Sequence, residues 1–349
     1  MKKLSKLMAV VLAVAMVLAL AACGSTGGAA SGSAAPAASG SGAASGSGSA
    51  APAGDGQTYK IGICQLVQHE ALDAANQGFQ DALTEKLGDA VKFDDQNASG
   101  DSANCSTIVN GFVSDDDDLI LAIATSPLQA AAAATADIPV LGTAVTDYAT
   151  ALEISDWSGT VGTNVSGTSD LAPLDQQADM LHDLFPDAKN VGLLYCSAEP
   201  NSVYQCTVIE GYLKELGYDV TWYAFNDTND VTSVTETAAD NSDVIYIPTD
   251  NTAASNTEAI ANVVLAKKVP VIAGEEGIAR GCGVAALSIS YYDLGYQTGL
   301  MAYDILANGA DVSTMAVQTA PSVTKKYNAA NAEALGITIP DDYEAIAED

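Results

Sequence analysis

Two short polar strings stand where apolar runs end. Thr125-Ser126-Pro127 follows the run from Leu119 to Ala124, and Thr249-Asp250-Asn251-Thr252 follows the run from Val244 to Pro248. A strand giving way to a helix at such a place exposes backbone N–H groups, and together with the helix dipole they favour an anion such as a carboxylate. Ser126 is a capping residue type, and Pro127 suits the first helical position. Asp250 has the opposite use: it can hold an ammonium by a charge-assisted hydrogen bond, although as a plain helix cap it needs no ligand. Glu275 and Glu276 follow a further apolar run, and one of them is suited to share the ammonium. Asp147 and Glu199 are additional acids, and Gln65 and His69 follow the first apolar run as hydrogen-bonding groups. The candidate binding set is Gln65, His69, Thr125, Ser126, Asp147, Glu199, Thr249, Asp250, Asn251 and Glu275.

Other chemistries find little support. The chain holds two histidines, His69 and His182, so a histidine-rich metal centre is impossible. His69-Glu70 starts like a zinc motif, but position 73 is Asp and no third ligand follows; no C-x-x-C occurs either. The aspartates at 115–118 lack the glycine and spacing of a calcium loop and read as a solvated turn. No P-loop or G-x-S-x-G is present, and Gly281-Cys-Gly283 lacks the third glycine of a dinucleotide fingerprint. No cofactor, no metal and no enzymatic activity are expected. Tyr204, Tyr291 and Tyr292 are candidates to stack on a ring, and Cys196 and Cys206 are placed to pair across a strand-to-helix turn. The formal net charge of -31 sets the protein against phosphate backbones, so no nucleic-acid partner is expected.

The elements that position these residues alternate strand and helix. Strands are expected at residues 59–64, 91–94, 119–124 and 139–143, and again at 190–195, 219–224, 243–247 and 270–273. Helices are expected between them, at 71–87, 103–114, 127–136, 174–185, 202–216, 231–239 and 253–266. The two series resemble each other: Lys60-Ile-Gly-Ile-Cys64 answers to Asn190-Val-Gly-Leu-Leu-Tyr195, and Ile138-Pro-Val-Leu-Gly142 to Val269-Pro-Val-Ile-Ala-Gly274. A repeated α/β unit implies two similar lobes, each a parallel sheet flanked by helices, with the carboxyl ends of the strands lining one cleft.

Ahead of the folded part, Lys2, Lys3 and Lys6 precede an apolar stretch, so residues 1–22 read as a signal peptide. Leu20-Ala-Ala-Cys23-Gly24 resembles the bacterial lipobox, which makes Cys23 the expected lipidation site and the membrane a partner through that anchor. Residues 23–57 are the lipidated cysteine and a Gly/Ser/Ala tether with a reach of roughly 30 Å.

Specific strings point to one family. Ile61-Gly-Ile-Cys-Gln65, Ala122-Ile-Ala-Thr-Ser-Pro127, Thr143-Ala-Val-Thr-Asp147, Val165-Ser-Gly-Thr-Ser-Asp170, Ile247-Pro-Thr-Asp-Asn-Thr252 and Ala273-Gly-Glu-Glu-Gly277 resemble the substrate-binding lipoproteins of ABC importers of the tryptophan/tyrosine type. The resemblance runs from about Tyr59 to Ile337 and departs at Gln68-His69-Glu70 and at residues 148–159 around Trp157. It implies a hinged, type I periplasmic-binding-protein-like fold, with lobe 1 formed by residues 58–162 plus 285–309 and lobe 2 by 163–284 plus 310–349. It also implies capture of an aromatic amino acid outside the cytoplasm, at a lipid-anchored position on the cell membrane, for ABC permease subunits. The alternatives are a branched-chain or other amino acid, and a surface adhesin or sensor on the same fold. For an amino-acid zwitterion the expectation is that Ser126 and its helix start hold the carboxylate, and Asp250 the ammonium.

Overall fold

The computed structural model describes residues 58–347; the expected signal peptide, Cys23 and the tether lie outside the described residues. The chain begins β1 (Tyr59–Gln65), α1 (Glu70–Leu87), β2 (Val91–Asn97), α2 (Ser102–Ser114), β3 (Leu119–Ile123), α3 (Thr125–Ala134), β4 (Val140–Val145), α4 (Tyr148–Ala151) and β5 (Val165–Ser169). It continues α5 (Leu174–Leu184), β6 (Asn190–Cys196), α6 (Pro200–Glu215), β7 (Asp219–Phe225), α7 (Val231–Asn241), β8 (Val244–Ile247), α8 (Asn251–Ala254), α9 (Thr257–Lys267), β9 (Val271–Ala273), α10 (Glu276–Gly281) and β10 (Ala285–Ser288). The last part is α11 (Tyr291–Asn308), β11 (Gln318–Thr319), β12 (Thr324–Tyr327), α12 (Ala329–Leu335) and β13 (Glu344–Ala345).

The strands form two sheets. The first runs β11-β5-β4-β3-β1-β2 and the second β13-β12-β10-β9-β8-β6-β7. Stripped of their added edges, both have the same order: β2-β1-β3-β4-β5 is repeated as β7-β6-β8-β9-β10. Pairing is parallel throughout, except that β12 runs antiparallel to β10. Inner parallel strands are covered on both faces and should be continuously apolar. Leu119-Ile-Leu-Ala-Ile123 is buried at every position. In β8, Ile245 and Ile247 join one hydrophobic cluster while Val244 and Tyr246 join another on the opposite face.

The crossings between sheets correct the expected lobe boundaries. Val165–Ser169, expected in lobe 2, is a strand of the first sheet; Ala285–Ser288, expected in lobe 1, belongs to the second; and β11 returns to the first sheet. Each crossing comes one strand later than expected, because each series ends on a strand too short and too small-residued to announce itself. β5 is Val-Ser-Gly-Thr-Ser, held by register pairs Val140↔Val165 and Gly142↔Gly167. Gly167 has φ +141, and a Cβ there would lie 2.0 Å from the Gly142 carbonyl oxygen, so only glycine fits.

After β10 the chain leaves the second sheet, and α11 packs along α1 beside the first. The seam is lined by small residues. A Cβ on Gly295 would lie 1.9 Å from the Ala75 carbonyl oxygen, and one on Gly78 would lie 2.1 Å from that of Tyr292. At the rim, the Tyr292 and Tyr296 hydroxyls donate to Asp81 and Glu85. We predict that Gly295→Val, which must push two backbones apart, lowers unfolding free energy by about 3 kcal/mol or more, the upper end for overpacking. Urea denaturation checks this; an unchanged midpoint would mean the helices tolerate separation.

Candidate functional site

The carboxyl ends of the strands from both sheets meet across a cavity, the place where open parallel sheets bind ligands. In this closed form it is tight: the open space inside is about 10 Å³, room for about one water molecule. His69, Leu72, Ala144 and Thr146 line it from the first sheet's side, and Asn201, Thr249, Asp250, Asn251, Ala254 and Glu275 from the second's. Asp170 and Tyr291, at the two crossings that follow β5 and β10, complete it.

Local structure explains how each group arrives. His69 sits at the N-terminus of α1 with its side chain free of capping duty, and its Nε2 lies 3.2 Å from Asn251 Oδ1 across the cleft. Asp250 caps α8: Oδ1 accepts from the Ala253 N–H at 2.8 Å, and Oδ2 from the Cys196 N–H at 2.6 Å. Glu275 caps α10, accepting from the N–H groups of Gly277 at 2.6 Å and Ile278 at 2.5 Å. Asp170 follows β5; its Oδ2 accepts from the Tyr291 hydroxyl at 2.9 Å, and its buried Oδ1 is left without a full hydrogen bond.

The remaining expected site residues are placed elsewhere. Gln65 is buried beneath α1, bonded to Asp73, Asn76 and the Val67 carbonyl. Asp147 caps the short α4 through the Thr150 N–H. Glu199 accepts from Asn201, Asn251 and Thr252 and so braces the β8–α8 turn from behind. Ser126 and Glu199 border a second, more open hollow beside the cavity. Ser126 is not the cap of α3. Ala124 takes that position with φ +90, so the helix already begins at Thr125 and Pro127 is its third residue rather than its first. Thr125 is buried. The turn is made by a strained alanine backbone, which residue type does not reveal.

Asp170 was not singled out by the sequence, because the polar β5 that presents it was not recognised as a strand. Its signal was only the Ser-Asp ending of a string shared with the family. Tyr291 is present in the cavity wall, but its hydroxyl serves Asp170; Tyr292 lies outside, exposed on α11. His182 bonds the Tyr218 hydroxyl at 2.8 Å. The described cysteines, Cys196 and Cys206 among them, are free buried thiols. Among the described residues no group of three or more His, Cys, Asp or Glu could hold a metal ion, and no helix is long and apolar enough to cross a membrane.

The cavity is electrically one-sided. No lysine or arginine lines it, whereas three acids do, each nearly out of water. Burial pushes the Asp250 carboxyl up to about 8, helped by the nearby Glu199 charge, and pushes Glu275 up to about 7. Burial also raises Asp170, partly offset by hydrogen bonding from the Tyr291 and Thr146 hydroxyls. His69 is driven towards its neutral form by the same desolvation.

The two walls touch. Besides His69 and Asn251, the Thr146 and Thr249 hydroxyls lie 3.4 Å apart, and Gln205 on α6 donates to both. At the rim, Arg280 pairs with Glu70 across the cleft at 2.8 Å. The cleft is therefore closed.

The family model for ABC transporter substrate binding proteins matches residues 60–349. The chain belongs to that family. A tyrosine-binding protein of Clostridioides difficile (strain R20291) is 38% identical over 262 residues, 74% of this chain and 75% of that one. The crystal structure of an ABC domain in complex with L-Trp from Streptococcus pneumoniae is 34% identical, with TM-score 0.78 over 82% of this chain and 97% of that one. A ligand-free, open structure of a Clostridium difficile substrate-binding protein with adhesive properties is 38% identical, covers 84% of this chain and 100% of that one, and has a TM-score of 0.64. This substrate-binding protein thus superposes better on a ligand-bound relative than on an open one of higher identity, in keeping with its closed cleft. The two similar lobes and their parallel sheets are the type I periplasmic-binding-protein fold implied by the sequence strings.

The raised acids make stability depend on pH. Unfolded, the carboxyls of Asp250 and Glu275 ionise near their ordinary 3.8 and 4.5; folded, they keep their protons to about 8 and about 7. Between those limits the native state binds more protons, so stability falls as pH rises. His69 acts in the opposite sense, but only below its ordinary 6.5. Acids held low on the surface, such as Asp243 and Asp342, titrate below their ordinary 3.8 and leave this range untouched. We predict that the ligand-free protein's Tm falls between pH 6.5 and 8.5, and falls less in Asp250→Asn. A flat or rising profile in a pH-resolved melting series would refute the desolvated-acid account.

Proposed function

We propose that this protein captures an aromatic amino acid in the inter-lobe cleft, outside the cytoplasm, and presents it to the permease subunits of an ABC importer. The observation that carries the reading is the closed cavity whose buried wall offers carboxylates and no cationic side chain. Such a wall suits a ligand that brings its own positive charge, as an α-ammonium does. Tyr291 and Leu72 contribute ring and aliphatic surface to the same wall. The choice of an aromatic amino acid is further supported by the tyrosine named for one relative and the L-Trp bound by another.

The reading is tested by thermal shift on protein stripped of carried-over ligand, against the twenty amino acids. Ligand at 100 times its dissociation constant adds about 2.7 kcal/mol to stability. L-Tyr, L-Trp or L-Phe should raise Tm more than Leu, Ile or Val. A shift only with the branched-chain set replaces the ligand, and no shift with any amino acid removes the reading.

Lipid anchoring at Cys23 belongs to the same proposal. Each buried methylene contributes about 0.8 kcal/mol, so a multiply acylated cysteine holds the protein at the membrane while residues 24–56 give it reach. Cys23→Ser should move the protein from the membrane fraction to the medium or periplasm and abolish palmitate labelling; retention of both signals defeats the anchor.

A further inference from the structure

Hydrogen-bond bookkeeping separates the cavity's acids. Asp250 spends one oxygen on the Ala253 N–H and the other on the Cys196 N–H. Glu275 spends both on the first turn of α10. Those bonds come from the backbone of the second sheet's side, and they fix both carboxylates as helix caps. Asp170 differs. It is 5% exposed, its Oδ2 is held by the Tyr291 hydroxyl, and its Oδ1 is buried without a full hydrogen bond, with only the Thr146 hydroxyl also acting on the carboxyl. A buried polar atom left unsatisfied is costly, so its persistence in a cavity wall calls for a donor that arrives from elsewhere.

We infer that Asp170 is the residue that receives the ligand's α-ammonium, with Tyr291 holding its other oxygen in place. The assignment rests on the proposal that the ligand is an amino acid, and it moves the ammonium from Asp250, where the sequence placed it, to the crossing after β5. An ammonium is a three-pronged donor, and a carboxylate oxygen has room for such a bond where no backbone amide already stands. The Thr146 and Thr249 hydroxyls line the same cavity beside it and keep that part of the wall polar. Asp170 is thus a specificity residue: it distinguishes a ligand that carries the amine from one of the same shape that lacks it.

The experiment compares, by calorimetry, an aromatic amino acid that stabilises the protein with its deamino analogue, the corresponding 3-arylpropionate. Wild type should bind the amino acid more tightly by about 10- to 150-fold, the range for hydrogen bonds to a charged group. In Asp170→Asn, which keeps the shape and removes the charge, that preference should shrink to about threefold or less, with the analogue's affinity unchanged. Should Asp170→Asn not fold, as judged by circular dichroism, Asp170→Ser repeats the comparison with a smaller neutral side chain and the same expected loss of preference. Survival of the preference in folded Asp170→Asn or Asp170→Ser overturns the assignment. If wild type binds no amino acid, the ligand reading itself has failed and the assignment goes with it. If wild type binds the amino acid and its analogue equally, only the assignment fails.

Discussion

Negative charge withheld from water is the constraint around which the cleft is organised. Asp170, Asp250 and Glu275 all border one cavity, and no lysine or arginine lines it to neutralise them. Desolvating a carboxylate is costly, and the fold meets the cost in two ways. Asp250 and Glu275 are tied to the N–H groups of helix starts, where backbone dipoles favour an anion. The fold also lets these carboxyls hold protons well above the usual range. The helices α8 and α10 are short, yet they begin where they do because their caps are acids facing the cavity.

Asp170 and Tyr291 matter for a second reason. One lies just after β5 and the other opens α11, so their hydrogen bond joins two of the places where the chain passes between sheets. Thr168 beside them bonds both Thr143 of β4 and Thr298 of α11. Polar side chains are buried here because they satisfy one another, and they tie the crossing to the α1–α11 seam, where glycines bring two backbones together. A group bound at Asp170 therefore touches the junction of the lobes rather than one outlying wall.

Much of this was legible beforehand. The apolar runs that became the inner strands are buried on both faces, which is why they stood out, and the likeness of the two series anticipated two sheets with one strand order. The last strand of each series was not legible. β5 is small and polar, stabilised by pairing and by threonine–threonine bonds rather than by apolar burial, so it carries no hydrophobic pattern. Missing β5 shifted a lobe boundary and hid Asp170 with it. At the site, residue type found acids at strand ends correctly, but it could not say which oxygens the backbone would occupy. It also could not foresee Ala124 at positive φ, which moved the helix start and left Ser126 bordering the neighbouring hollow.

The interleaving of the sheets has a consequence for how the molecule is made. The first sheet begins at Tyr59 but is not finished until β11 at Gln318–Thr319, and α1 stays uncovered until α11 has emerged. The second sheet waits for β13, two residues at Glu344–Ala345. Neither lobe can close its core from a contiguous stretch of chain, and contacts of such sequence separation form slowly. Synthesis of the N-terminal half therefore yields no self-sufficient unit that could lock into shape early. A chain cut after α11 would lack strands of both sheets at once, so the two lobes share one fate at their C-terminal end.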